Sequence, residues 1–133
     1  MHTSTATTTA IETAVERHLA IWNEPDAAVR TELARTAWSG DGRLLDPLVD
    51  AVGPDAIAAA IGELQQQMPG HSITRATAID AHHDLARFGW TANAPDGTVA
   101  IVGLDVLTLT PDGRIQTSVG FFGDLEGNTE SAP

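Results

Sequence analysis

The sequence predicts an α+β fold, with helices on one side of a curved, mostly antiparallel sheet that encloses an apolar pocket. Two patterns carry this reading. Apolar residues recur at steps of three and four through three N-terminal segments, and beyond Gly70 they give way to β-branched, strand-like runs separated by Pro, Asp and Gly. A third observation locates the centre: Val99 to Leu109 is an apolar run broken by one carboxylate, Asp105. Alternation puts Ile101, Gly103, Asp105, Leu107 and Leu109 on one face, and Ala100, Val102, Leu104 and Val106 on the other. Both faces are apolar, so Asp105 is expected to point into a core or a ligand cavity, because an unpaired buried charge is unfavourable by several kcal/mol.

The first helix is expected over Ile11 to Trp22, with Ile11, Ala14, Val15, His18, Leu19 and Trp22 on one stripe and Glu12, Glu16 and Arg17 on the wet side. His18 lies within the buried stripe, where a lone histidine is more often a hydrogen-bonded core residue than a functional one. Asn23 to Pro25 break this helix. Asp26 is placed to cap a second, whose apolar face is read as Val29, Leu33, Ala34, Ala37 and Trp38, and which Ser39 to Gly42 end. Arg43 to Asp46 reads as a short strand stopped by Pro47. An acid before proline is commonly a turn residue, so Asp46 alone makes no case for chemistry. Gly53 and Pro54 open the third helix, with Ile57, Ile61, Leu64 and Met68 on its buried stripe.

Four strands follow, over His71 to Ala81, Leu85 to Ala94, Thr98 to Leu109 and Arg114 to Gly123. Short connections through Asp96-Gly97 and Asp112-Gly113 make the last three an antiparallel meander. Trp22, Trp38, Phe88, Trp90 and Phe122 are candidates to line the pocket, although large aromatics are also ordinary core residues. The adjacent His82 and His83 suggest a metal, but neighbours on a strand point to opposite faces, so no metal site is expected there.

At 133 residues the chain fits one domain, expected over 10–125, with 1–9 and 126–133 as disordered tails. Its net charge of −11 opposes nucleic acid and anionic membrane surfaces as partners. The absence of cysteine excludes disulfides and a thiol nucleophile and is compatible with the cytoplasm. Neither a membrane span nor an export signal is evident, and no glycine-rich phosphate loop or ligand cluster calls for a cofactor.

Taken in order, Glu16-Arg17-His18-Leu19-Ala20, Asp46-Pro47, Leu104-Asp105-Val106, Asp112-Gly113-Arg114-Ile115-Gln116-Thr117 and Phe121-Phe122-Gly123 resemble the ketosteroid isomerases. These belong to the nuclear transport factor two-like superfamily, which includes the SnoaL-like proteins. The resemblance spans about Ile11 to Leu125 and implies a cone-shaped α+β fold and a homodimer. It implies that Asp46 shuttles a proton and that Asp105, kept protonated, donates a hydrogen bond to a developing oxyanion. His18 stands where the family has a tyrosine, and would be the second donor. The implied activity is proton transfer next to the carbonyl of an apolar ketone, with Trp22, Phe88, Trp90 and Phe122 contacting substrate and no cofactor. The superfamily also holds polyketide cyclases and non-catalytic binding or dimerisation domains for hydrophobic small molecules, and fold alone does not choose among them. In its limonene-type epoxide hydrolases an arginine precedes the strand aspartate by two positions. Here that position is Gly103, which argues against that chemistry.

Overall fold

The computed structural model describes residues 8–125 and 127. The chain runs α1 (Thr8–Asn23), α2 (Ala27–Ala37), β1 (Trp38–Asp46), β2 (Val49–Val52), α3 (Pro54–Gln67), β3 (Ser72–Arg75), β4 (Asp80–His82), β5 (Leu85–Asn93), β6 (Val99–Leu109) and β7 (Ile115–Phe122). The strands form one curled, open sheet in the order β2-β1-β7-β6-β5-β3, with β4 also on β5. Every pairing is antiparallel except β1 with β7. Three helices on such a sheet make the α+β architecture that the sequence predicts. The expected tails fall outside the described residues for the most part, and α1 already includes Thr8 and Thr9.

Helix α1 buries the expected stripe, with Ile11, Ala14, Val15 and His18 enclosed and Leu19 and Trp22 half-buried. Asp26 caps α2 by accepting from the Val29 N–H at 3.0 Å. The face of α2 differs from the expected one: Val29 is exposed and Arg30 is buried. The guanidinium is accommodated because carbonyl-type oxygens surround it. Its Nε donates to the Ala58 carbonyl at 3.1 Å, and Nη1 to the Glu24 carbonyl and to Gln65 Oε1, each at 2.8 Å. Gly62 gives it room, since a Cβ there would lie 2.5 Å from Nη2.

Two elements ahead of α3 depart from the sequence pattern. Strand β1 begins at Trp38, five residues before the expected Arg43, because Trp38 leaves α2 directly into extended backbone. Its fully buried ring then covers Gly42, where a Cβ would meet it at 2.5 Å. The predicted helix-ending Ser39 to Gly42 is thus a bulged part of the strand. The second departure is β2, absent from the sequence reading because its four residues are too short to show alternation. It folds back through Pro47 and Leu48 onto β1, and Arg43 grips Asp50 across the pair with two bonds, at 2.9 and 2.8 Å.

The single strand expected over His71 to Ala81 is two, β3 and β4, both paired to β5. Between them the edge lifts away at Gly89, whose N–H donates to Thr77 Oγ1 at 2.8 Å in place of a backbone carbonyl. The meander is as expected, its tight connections using Gly97 at φ 90° and Gly113 at φ 85°. Trp38, Leu44, Ile57, Ile61, Phe88, Leu107 and Ile115 fill the space between helices and the concave sheet face. None of the helices among the described residues is long and apolar enough to cross a membrane.

The end of α1 is fastened to the sheet edge by one side chain. Asn23 Nδ2 donates to the Ile73 carbonyl at 2.8 Å, while its Oδ1 accepts from the Ile73 N–H at 2.7 Å, so an amide pairs with β3 as another strand would. Asn23→Ala is expected to lower stability in urea by about 1 kcal/mol. It should also speed amide exchange at Ile73 selectively, and uniform exchange changes across the sheet would contradict this role.

Candidate functional site

The apolar cavity opens between the C-terminal halves of α1 and α3 and the concave face of the sheet. Its volume is about 70 Å³, room for several water molecules at the roughly 10–15 Å³ each needs. Trp22, Trp90 and Phe122 form its aromatic walls, with Leu44, Leu64 and Ile101 among the aliphatic ones. Two carboxyl groups face this space, Asp46 from the end of β1 and Asp105 from the middle of β6.

These two approach each other over a glycine. Gly120 on β7 is the register partner of Asp105, and a Cβ at 120 would lie 2.8 Å from Asp105 Oδ1 and 3.1 Å from the Asp46 Cβ. Any side chain on Gly120 would therefore occupy the space between the two acids. The sequence gives no sign of this role, because the parallel β1–β7 pairing that brings Asp46 alongside is a tertiary fact.

Asp46 is both a turn residue and a cavity residue. Its Oδ1 accepts from the N–H groups of Leu48 at 2.8 Å and Val49 at 2.9 Å, the bonding expected of an acid before proline. Both bonds fall on one oxygen, which leaves Oδ2 outside the turn. Loss of hydration on burial pushes the Asp46 carboxyl above its ordinary range, and a negative charge on Asp105 adds to that rise; the two backbone donors oppose it.

Asp105 is 9% exposed and bonded at both oxygens. Trp90 Nε1 donates to Oδ1 at 2.9 Å, and His18 Nε2 lies 2.8 Å from Oδ2. His18 is itself 1% exposed and sits among Trp22, Trp38 and Phe88, with ring centroids at 6.5, 6.3 and 6.2 Å. Its Nδ1 has no partner among the described residues. A buried lone pair without a partner is less unfavourable than a buried N–H without one, so the proton belongs on Nε2, which donates to Asp105.

Of the residues singled out from sequence, Asp46, Asp105, Trp22, Trp90 and Phe122 converge on the cavity. His18 and Phe88 do not reach it. His18 contacts Asp105 from behind, and Phe88, 1% exposed, packs on His18. Periodicity placed both on the inner side correctly but carries no information on depth. Conversely, Gln65, Met68 and His71 line the cavity without having been singled out for it, because they come together only where the end of α3 meets the start of β3. Gln65 is held by Arg30 and by the Trp22 and Glu24 carbonyls, the latter two at 2.9 Å each. The Nδ1 of His71 contacts the Pro69 carbonyl at 3.2 Å. Among the described residues no group of three or more His, Cys, Asp or Glu is placed to hold a metal ion. His82 and His83 do converge, Nδ1 to Nδ1 at 2.9 Å, because His83 adopts φ 53° in the turn after β4.

The raised proton affinity of Asp46 has a consequence for stability. Between the ordinary carboxyl value, about 4, and the raised folded value, the native state binds more protons than the unfolded chain. Its contribution to stability therefore falls as pH rises through that window. Asp46→Asn keeps the Oδ1 acceptor and removes the titration. The variant is expected to exceed the parent in stability at pH 7, by a margin that vanishes on acidification, in urea unfolding followed from pH 4 to 8. An equal margin at both ends would refute the assignment.

No family model matches this sequence, and no curated protein matches it either. Solved structures do. A protein from Agrobacterium tumefaciens, described as an inferred isomerase of the SnoaL-like family, is 37% identical, with a TM-score of 0.84 and a match covering 88% of this chain and all of that one. An inferred SnoaL-like polyketide cyclase from Jannaschia shares the fold at 14% identity and a TM-score of 0.66, covering 88% of this chain and 90% of its own. A protein with a ketosteroid isomerase-like fold from Catenulispora acidiphila does so at 14% and 0.66, covering 80% and 82%. At 37% identity over 88% of its length with a SnoaL-like protein of the same fold, this chain belongs to the SnoaL-like family, within the nuclear transport factor two-like superfamily.

Proposed function

We propose that the chain is a proton-transfer enzyme acting on a small apolar molecule at the carbon next to a carbonyl. The observation that supports this most is the pair of carboxyl groups facing one apolar cavity across Gly120. Two acids that face one cavity can divide the work of acid and base between them.

In this reading Asp46 is the base. Its raised affinity for a proton suits it to the task, since a base works best when its pKa lies near the working pH. The C–H bond next to the carbonyl breaks, its proton passes to Asp46, and the electron pair moves onto the carbonyl oxygen. In the state in which Asp105 rather than Asp46 holds a proton, the arrangement that the family resemblance implies, Asp105 donates a hydrogen bond to that oxygen. Asp46 then returns the proton to another carbon, which completes an isomerisation. A SnoaL-like cyclase would instead use the same enolate to attack a second carbonyl, so both reactions begin with the same removal of a proton. His18 acts through Asp105 as a positioning residue. Trp22, Trp90 and Phe122 exclude water and contact the substrate, and Phe88 supports His18. The outer sheet face, with Val102 41% and Phe121 58% exposed, supports pairing with a second copy. Light scattering at micromolar concentration checks that claim alone.

The reaction is tested at its first step. Small unsaturated ketones and a steroid are incubated with the protein in D2O, and loss of the proton next to the carbonyl is followed by NMR. The expected result is exchange with at least one small ketone, reduced about 10²–10⁴-fold in Asp46→Asn. Exchange that survives in Asp46→Asn removes the base assignment, and binding without exchange leaves a ligand-binding domain.

A further inference from the structure

Sequence reading treats Trp90 as a wall, but the structure gives its ring a second task. Trp90 on β5 is the register partner of Gly103 on β6. The indole lies across the space a side chain at 103 would take, for a Cβ there would be 2.1 Å from its Cζ2 and 2.3 Å from its Cε2. Phe122 closes on the ring edge to face, centroids 5.7 Å apart at 87°. Held this way, the indole extends along the strand pair to the next inward residue of β6, and its Nε1 donates to Asp105 Oδ1 at 2.9 Å.

An indole N–H donates and cannot accept, so the lone pair it meets on Oδ1 is committed. His18 approaches the other oxygen from α1. Two donors from different elements thus fix the plane of one carboxyl that also faces the cavity.

We propose that Trp90 is a positioning residue for Asp105, its N–H fixing the orientation of that carboxyl in the cavity and setting how readily it gives up a proton. The proposal rests on the proton-transfer reading of the same pocket. Donation to a carboxyl stabilises its charged form. Without the indole N–H, the Asp46 and Asp105 pair should therefore hold its last proton to higher pH. The other titratable groups that face the pair are His18 from α1 and His71 from the cavity rim, and both are unaltered by a change at Trp90.

The decisive variant is Trp90→Phe, which keeps an aromatic ring against Phe122 while removing the donor and some of the ring surface over Gly103. Carboxyl carbon NMR titration reads the pH at which the pair loses its last proton. The expected outcome is an upward move of about one unit, the scale of one hydrogen bond to a charged group. A purely structural role would lower stability and leave that midpoint in place. Should the variant fail to fold, the unaltered protein supplies a second reading, in which the indole N–H resonance of Trp90 follows the titration of the pair and those of Trp22 and Trp38 do not. An unmoved midpoint in folded Trp90→Phe, or a Trp90 resonance indifferent to the pair, overturns the proposal. Neither measurement uses turnover, so failure of this proposal is distinguishable from absence of exchange with every ketone, which would sink the catalytic reading.

Discussion

The structure depends on placing one carboxyl group, Asp105, inside an apolar sheet and giving it enough partners to stay there. Without them its burial is unfavourable by several kcal/mol, a large share of the stability of a domain this size. The partners come from elements far apart in sequence. Helix α1 must be phased so that His18 reaches Oδ2, and β5 must hold the register that sets Trp90 opposite Gly103. A one-residue slip of β5 would turn Trp90 to the outer face and leave Oδ1 without its donor. The polar bond thus helps select the pairing that the apolar residues alone would satisfy less uniquely.

Asp46 shows a different solution to the same problem. Pro47 keeps it in extended backbone, so it can end β1 with its side chain turned inward, and the following turn supplies two N–H groups to one oxygen. Those bonds stabilise the carboxylate, yet loss of water outweighs them and the proton affinity still rises. The turn orients Asp46 without suppressing its basicity. A residue that burial leaves destabilised when ionised is poorly suited to holding a fold together and well suited to exchanging a proton.

How much of this the sequence disclosed follows from which physical signals are local. The phase of α1 puts His18 inward whatever the tertiary structure, and the alternation of β6 does the same for Asp105. Their bond across 87 positions confirms that both faces were read correctly. Depth is not local. Phe88 and Trp90 share one face of β5, yet one packs behind Asp105 and the other reaches the cavity, because the sheet curls. The start of β1 was misplaced for a related reason: Gly40 and Gly42 look like helix terminators until the ring of Trp38 is seen lying on Gly42. Arg30 is outside the apolar face that the sequence suggests for α2, and only the carbonyls of Glu24 and Ala58, brought from two other segments, make its burial tolerable.

The choice of neutral donors around Asp105 matters more than their number. The chain has seven arginines and no lysine, and none of the arginines lines the cavity. Arg35, Arg43 and Arg87 pair with Asp55, Asp50 and Asp80 at the surface, where such pairs contribute little, and Arg30 is engaged by carbonyls and Gln65. An arginine in place of Trp90 or His18 would satisfy Asp105 more strongly, but it would add a fixed positive charge beside the two acids, which favours the ionised form of both. Indole and imidazole N–H groups secure the geometry without adding that charge. The cavity can therefore keep two acids close together, each ordered by hydrogen bonds from uncharged groups.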